Sequence, residues 1–207
     1  MQKVIEINNV TKNFKNKAIL NSFSEVIYKN ELIAIVGESG KGKTTLINMI
    51  GGLDKIDSGE VIIDGVKIDK KNMNKFYQSK ISFLFQNFAL VDEWTVQKNL
   101  ELAFKFKKIK DKKAEITRVL KLLNLEDKAS SKIHSLSGGE QQRVSLARLI
   151  IQDNDIILAD EPTGSLDEKN RDIVFDILLT LKNQGKTIVI VTHDKFIANK
   201  CDRIISL

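Results

Sequence analysis

Cysteine, proline and tryptophan each occur only once in the 207 residues. The single cysteine, Cys201, excludes an internal disulfide framework and a cysteine-rich zinc site, which fits a reducing compartment and a packed thiol. No apolar run approaches the ~20 residues of a membrane-spanning helix, and Met1-Gln2-Lys3-Val4 opens no signal peptide. Linkers, internal repeats and low-complexity blocks are also missing. Apolar residues at 42% and charged residues at 29% are ordinary for a soluble globular chain. The length allows one sizeable core, or one domain carrying a smaller subdomain. Net charge is +6, and much of it sits between Phe104 and Lys113. That run reads first as a solvated approach to a helix. Phe104 and Phe106 are interleaved with lysine, but no nucleic-acid module pattern accompanies them, so no nucleic-acid partner is expected.

What is present centres on Leu32 to Thr45, L-I-A-I-V-G-E-S-G-K-G-K-T-T. Leu32 to Val36 is an unbroken apolar run, as in a strand buried on both faces of a parallel sheet. It opens into Gly37, Glu38, Ser39, Gly40, Lys41, Gly42, Lys43 and Thr44, with Thr45 following, and this is the P-loop spacing. Glycines let successive backbone N–H groups turn inward around an anion, and a helix over about 43–50 adds its positive end. Lys43 is expected on the β- and γ-phosphates of a nucleoside triphosphate, and the Thr44 hydroxyl on Mg²⁺.

Other chemistry-bearing residues follow buried-type runs. Ile156 to Ala159 ends in Asp160, Glu161 and Pro162, and paired acids at a buried strand end need positive charge nearby. In an α/β sheet that end is where ligands bind, so Asp160 is expected to hold Mg²⁺ through water and Glu161 to position or deprotonate the attacking water. Thr187 to Val191 delivers Thr192, His193 and Asp194 to the same edge, and Ile81 to Phe85 delivers Gln86. His134 has no such company and reads as a surface residue. Ser137 with Glu140 forms a capping box before an apolar helix, and Gly138 and Gly139 in its first turn point to a second anion site. Phe14 lies in a polar turn at 12–17 between short strands, where a ring can stack on adenine or pack locally. The strands at 4–7, 18–28 and 59–65 read as an antiparallel flank. Residues 87–135 read as a helical insertion that includes a helix over 113–125.

In order, these motifs resemble those of an ATP-binding cassette ATPase over essentially the whole chain. Residues 37–44 look like Walker A, Gln86 a Q-loop, 136–143 with Leu-Ser-Gly-Gly-Glu the signature, 156–161 Walker B, 164–167 a D-loop and 192–194 an H-loop. The resemblance implies an α/β P-loop NTPase (RecA-like) core, mainly a parallel sheet, at about 1–86 and 144–207. An antiparallel β flank and a helical subdomain at about 87–143 complete the single domain. It also implies ATP and Mg²⁺ as cofactors and a head-to-tail homodimer formed on ATP binding. Ser137 and Gly139 of one protomer would then face the γ-phosphate held by the other. Gln86 would touch Mg²⁺ or the lytic water, His193 would join Glu161 in catalysis, Asp167 would connect the two sites and Phe14 would stack on adenine.

The stretches Asp-Glu-Pro-Thr-Gly-Ser-Leu-Asp and Ser-Gly-Gly-Glu-Gln-Gln-Arg-Val are similar to the lipoprotein-release, macrolide-export and bacteriocin-export branch, and the short chain most resembles its bacteriocin-export members. Two departures stand out. Lys41 replaces a small residue, and residues 90–95 lack the family's frequent proline. The chain stops at Leu207, which carries the expectation of no accessory C-terminal domain. The implied function is ATP hydrolysis for a separately encoded transmembrane permease at the cytoplasmic face of the membrane, with peptide, lipoprotein and drug export all open. A cell-division type of mechanical work on a membrane partner is the alternative. A soluble cassette acting on nucleic acid or ribosomes is a third reading, against which stands the lack of a second cassette or coiled-coil insertion.

Overall fold

The computed structural model describes residues 2–14, 17–107 and 109–207. Strands β1 (Lys3–Phe14) and β2 (Lys17–Tyr28) form an antiparallel ribbon, longer than the short apolar runs within it suggest. Its register shifts between Ile7 and Val10, where Asn9 adopts a φ of 48° and takes the extra residue without burying a side chain. Of the expected turn at 12–17, Lys15 and Asn16 lie outside the described residues, as does Lys108 in the lysine-rich run. The chain then enters β3 (Leu32–Val36) and α1 (Lys43–Ile50), and returns to the ribbon as β4 (Ser58–Ile63) and β5 (Val66–Lys67). The antiparallel flank has the order β2-β1-β4-β5.

After α2 (Met73–Ser79) come β6 (Ile81–Leu84), α3 (Val96–Glu101), α4 (Lys112–Leu122) and α5 (Gly138–Gln152). The alternating tail is β7 (Ile156–Asp160), α6 (Glu168–Asn183), β8 (Thr187–Val191), α7 (Lys195–Asn199) and β9 (Arg203–Ser206). The five-stranded sheet is parallel, in the order β6-β7-β8-β3-β9.

Strand periodicity explains the two cores. Ile156, Leu158, Val189, Val191, Ile33 and Ile35 face α1 and the antiparallel flank, while Ile157, Ala159, Ile188, Ile190 and Leu32 face the helical side. A strand covered on both faces has no polar positions, which is why these runs are unbroken. The helices of the 87–143 region share the second core through Val96, Leu100, Val119, Leu120 and Ile133. Helix α5 is continuous across residue 143, so one rod joins the helical region to the sheet.

All five parallel strands point the same way, which brings Gly37, Gln86, Glu161 and Thr192 to one edge. Phe104 is 2% exposed and belongs to the core, so it offers no stacking face, whereas Phe106 is exposed. Among the described residues no helix is long and apolar enough to cross a membrane.

Candidate active site at the sheet edge

The loop after β3 closes on itself. Lys43 Nζ donates to the carbonyls of Gly37 at 2.9 Å and Glu38 at 3.1 Å, so its ammonium arches back over the backbone cradle. Gly42, at the start of α1, has a φ of 92°, and a Cβ there would run into the Ile19 side chain. Only glycine suits both demands. Glu38 and Lys41 pair loosely at 3.8 Å on the exposed side of the loop. Ser39 and Gly40 are exposed, and Thr45 is half-buried.

Across the cradle stands β7. The Thr44 hydroxyl donates to Asp160 Oδ1 at 3.1 Å, so two oxygen donors already converge. Burial pushes the Asp160 carboxyl above its ordinary range, the Glu161 charge adds to this, and Thr44 and Lys43 oppose it. Glu161 has a φ of 46°, uncommon for a side-chain-bearing residue. Its backbone N–H still donates to the Val191 carbonyl at 2.9 Å, so the sheet ladder ends on this residue. The Glu161 carboxylate meets the loop just after β8: Oε2 lies 2.9 Å from His193 Nδ1 and also accepts the His193 backbone N–H at 3.4 Å.

Thr44, Asp160 and Gln86 line one open cleft of about 610 Å³ together with Asn48 and Ser165. Sequence reasoning missed those last two. Ser165 sits inside the recognised D-loop motif, and Asn48 lies one helical turn beyond Thr44, so both signals were present.

The signature residues lie elsewhere. None of Ser137, Gly138, Gly139 and Glu140 lines that cleft. The Ser137 hydroxyl accepts the Glu140 N–H at 3.3 Å, and Glu140 Oε2 accepts the Ser137 N–H at 2.8 Å, which completes the capping box. That backbone bond, with Lys128 nearby, holds the Glu140 carboxyl below its usual range. Gly139 packs on α6: a Cβ there would stand 2.6 Å from the Asn170 side chain. Asn170 in turn accepts from Arg143 at 2.6 Å and donates to Asp167 at 2.7 Å. The D-loop acid and the signature helix are thereby tied within one chain. Phe14 is 64% exposed at the end of β1. His134 is exposed and outside the cleft.

A glycine cradle with a lysine across it binds phosphate groups, and an acid pair held by threonine and histidine suits a metal and a water. Residues 20–164 match the family model described as ABC transporter. The chain belongs to the ABC transporter family. It is 40% identical over 210 residues to the lipoprotein-releasing system ATP-binding protein LolD of Porphyromonas gingivalis, covering 99% of this chain and 96% of that one. It is 41% identical over 209 residues to the macrolide export ATP-binding/permease protein MacB of Campylobacter jejuni, and spans only 33% of that longer protein. The solved dimer of the ATP-binding cassette MJ0796 bound to ADP and Pi aligns with a TM-score of 0.89 and 38% identity, over 98% of this chain and 94% of the other. That protein comes from Methanocaldococcus jannaschii. The ABC fold expected from the motifs is the fold observed, and the chain is an ATPase of this family, similar to the LolD and MacB types.

Proposed function

We propose that this ABC ATPase is the energy-supplying subunit of a bacterial exporter. It dimerises with a second copy on binding ATP and docks at the cytoplasmic face of the membrane on a separately encoded permease. The observation that carries this reading is the meeting of Lys43, the Thr44–Asp160 pair and the Glu161–His193 pair at one sheet edge. Likeness to LolD over nearly its whole length supports a separate permease, because MacB is named as ATP-binding protein and permease in one chain. Lipoproteins, macrolide-like drugs and peptides are the cargo classes that these relatives and the motifs suggest.

In the proposed mechanism, the N–H groups of residues 37–44 and the Lys43 ammonium hold the β- and γ-phosphates of ATP. Thr44 and Asp160 fit Mg²⁺, since both offer hard oxygen atoms and Asp160 is a partly buried acid beside another acid. Bound there, the ion would neutralise phosphate charge. Among the described residues no group of three His, Cys, Asp or Glu gathers to hold a metal alone. Glu161 takes the proton from the attacking water, and His193 fixes the carboxylate that does so. Gln86 shares the cleft wall with Thr44 and Asp160, from which its amide would touch Mg²⁺ or the attacking water. In the dimer, Ser137 and Gly139 face the partner's γ-phosphate, Asp167 links the two sites and Phe14 stacks on adenine.

A second, apolar groove of about 360 Å³ lies beside the cleft and suits a permease helix. Leu53, Tyr77, Phe83, Phe85, Ala89 and Leu102 line it, and the rings of Phe83 and Phe85 stack at 5.1 Å. Phe85 and Leu53 also line the nucleotide cleft, so an occupant of the groove would bear on both.

The test separates binding from chemistry. Glu161→Gln keeps shape and hydrogen bonding but removes the base, so turnover should fall ~10²-fold or more. ATP should then hold the variant as a dimer on size-exclusion chromatography. Near-normal turnover would remove Glu161 as the base, and a monomer in saturating ATP would remove the dimer.

A further inference from the structure

Two residues beyond Gln86 the backbone turns in an unusual way. Phe88 and Ala89 both have positive φ, 61° and 48°, although neither is glycine or asparagine. Consecutive left-handed residues with side chains cost energy and persist only where the surroundings hold them. Within the turn the Phe88 N–H donates to the Phe85 carbonyl at 3.1 Å and the Ala89 N–H to the Asn87 carbonyl at 2.6 Å, and the side chains that hold it come from α5. Ser145 Oγ donates to the Phe88 carbonyl at 2.6 Å, Arg148 Nη2 donates to the same carbonyl at 3.0 Å, and Arg148 Nη1 donates to the Ala89 carbonyl at 2.5 Å. Ser145 is 1% exposed.

Arg148 has no carboxylate partner among the described residues, and burial pushes its guanidinium below the ordinary arginine value. An arginine that keeps its charge under cover with no acid beside it needs another use for its donors, and the two carbonyls supply one. The turn they hold borders both cavities, which also share Leu53 and Phe85. Gln86, Asn87 and Phe88 line the nucleotide cleft, while Ala89 and Arg148 line the apolar groove.

We propose that Arg148, with Ser145, is a positioning residue for Gln86. From α5 it holds the carbonyls of Phe88 and Ala89 and so fixes the turn that presents the Gln86 amide to the nucleotide. The inference rests on the role given to Gln86 above. It adds that α5, which begins at the signature Ser137, carries at its far end the clamp on the glutamine loop.

The experiment is a double-mutant cycle on the full chain, reading kcat, KM for ATP, nucleotide binding and thermal melting. Gln86→Ala alone examines the underlying reading, and kcat should fall while ATP still binds. Arg148→Met should lower kcat by roughly 10- to 100-fold, as expected for a displaced catalytic group. KM for ATP should stay within about twofold. In the Gln86→Ala background Arg148→Met should change kcat by less than about twofold, because the group it positions is already gone. Arg148→Lys, which still reaches a carbonyl, should recover part of the loss.

Equal losses from Arg148→Met with and without Gln86 would overturn the positioning role and leave Arg148 as support for the fold. A silent Gln86→Ala would overturn the reading of Gln86 itself, which is a separate result. If Arg148→Met does not fold, Ser145→Ala removes a single donor and takes its place in the same cycle. There, unchanged kcat, or an equal loss in both backgrounds, overturns the proposal.

Discussion

The Lys43 ammonium ties the end of its loop back to the start, through the carbonyls of Gly37 and Glu38. The ammonium already makes these bonds charge-assisted, and phosphate oxygens in place of neutral carbonyls add a direct attraction between opposite charges. Lys43→Ala should therefore weaken ATP binding sharply in a fluorescence or calorimetric titration, and an unchanged affinity would count against the phosphate cradle. Asp160 makes the complementary case. Its carboxyl is raised, so the folded protein binds the proton more tightly than the unfolded chain. Stability from this group is present at low pH and is lost as pH rises from the ordinary value of 3.8 through the raised folded one. At neutral pH without nucleotide, Asp160→Asn should melt higher than the parent, and the parent alone should gain strongly from ATP with Mg²⁺. A variant that melts lower and still gains would show that the charge is not uncompensated.

At the scale of elements, the motif-bearing strands were legible because strands covered on both faces leave unbroken apolar runs. Leu32–Val36, Ile156–Asp160 and Thr187–Val191 lie where those runs placed them, and each delivers its functional residue at its carboxyl end. The short elements α2, α7, β5 and β9 were not legible. Each is seven residues or fewer, too short for a period to show; α2 and α7 are held by packing, and β5 and β9 by pairing with β4 and β3. The two signature glycines carried a mixed message. Gly139 has a close neighbour, but it is Asn170 of the same chain, whereas Gly138 stands in open space. The clamp on Phe88 and Ala89 left no motif to read, since serine and arginine inside an amphipathic helix look like its polar face.

The stretch 90–95, which lacks the family's frequent proline, has a different fastener. Asn99 is fully buried, accepts the Val91 N–H at 2.8 Å and donates to the carbonyls of Val91 and Thr95 at 3.1 Å. Trp94 there is half-buried under Lys98, 4.2 Å from its ring, and is neither full core nor open patch. Asn99→Ala would orphan these backbone groups at a cost of about 1–3 kcal/mol. Denaturant unfolding should show that loss with basal ATPase activity kept, and an unchanged unfolding free energy would remove Asn99 as the fastener.

For the whole molecule the question is how the signature reaches a nucleotide. Within one chain Ser137 caps α5, Gly139 leans on Asn170, and neither lines the cleft that holds Thr44 and Asp160. If ATP needs both sets, one protomer has to supply Lys43 and the other Ser137. Two protomers linked covalently, one carrying Lys43→Ala and the other Ser137→Arg, distinguish the arrangements. Sharing across an interface gathers both defects in one site and leaves the second intact. Service within one chain puts one defect in each site and leaves none. Each variant linked to itself should be inactive in either case, which provides the control. Ser137→Arg also removes a helix cap worth about 1 kcal/mol, so melting must show the linked protein folded before activity is compared. ATP occlusion is the better readout, because a single intact site can close without cycling efficiently. Occlusion at half the sites supports the head-to-tail dimer, and none at all in a folded linked protein rejects it.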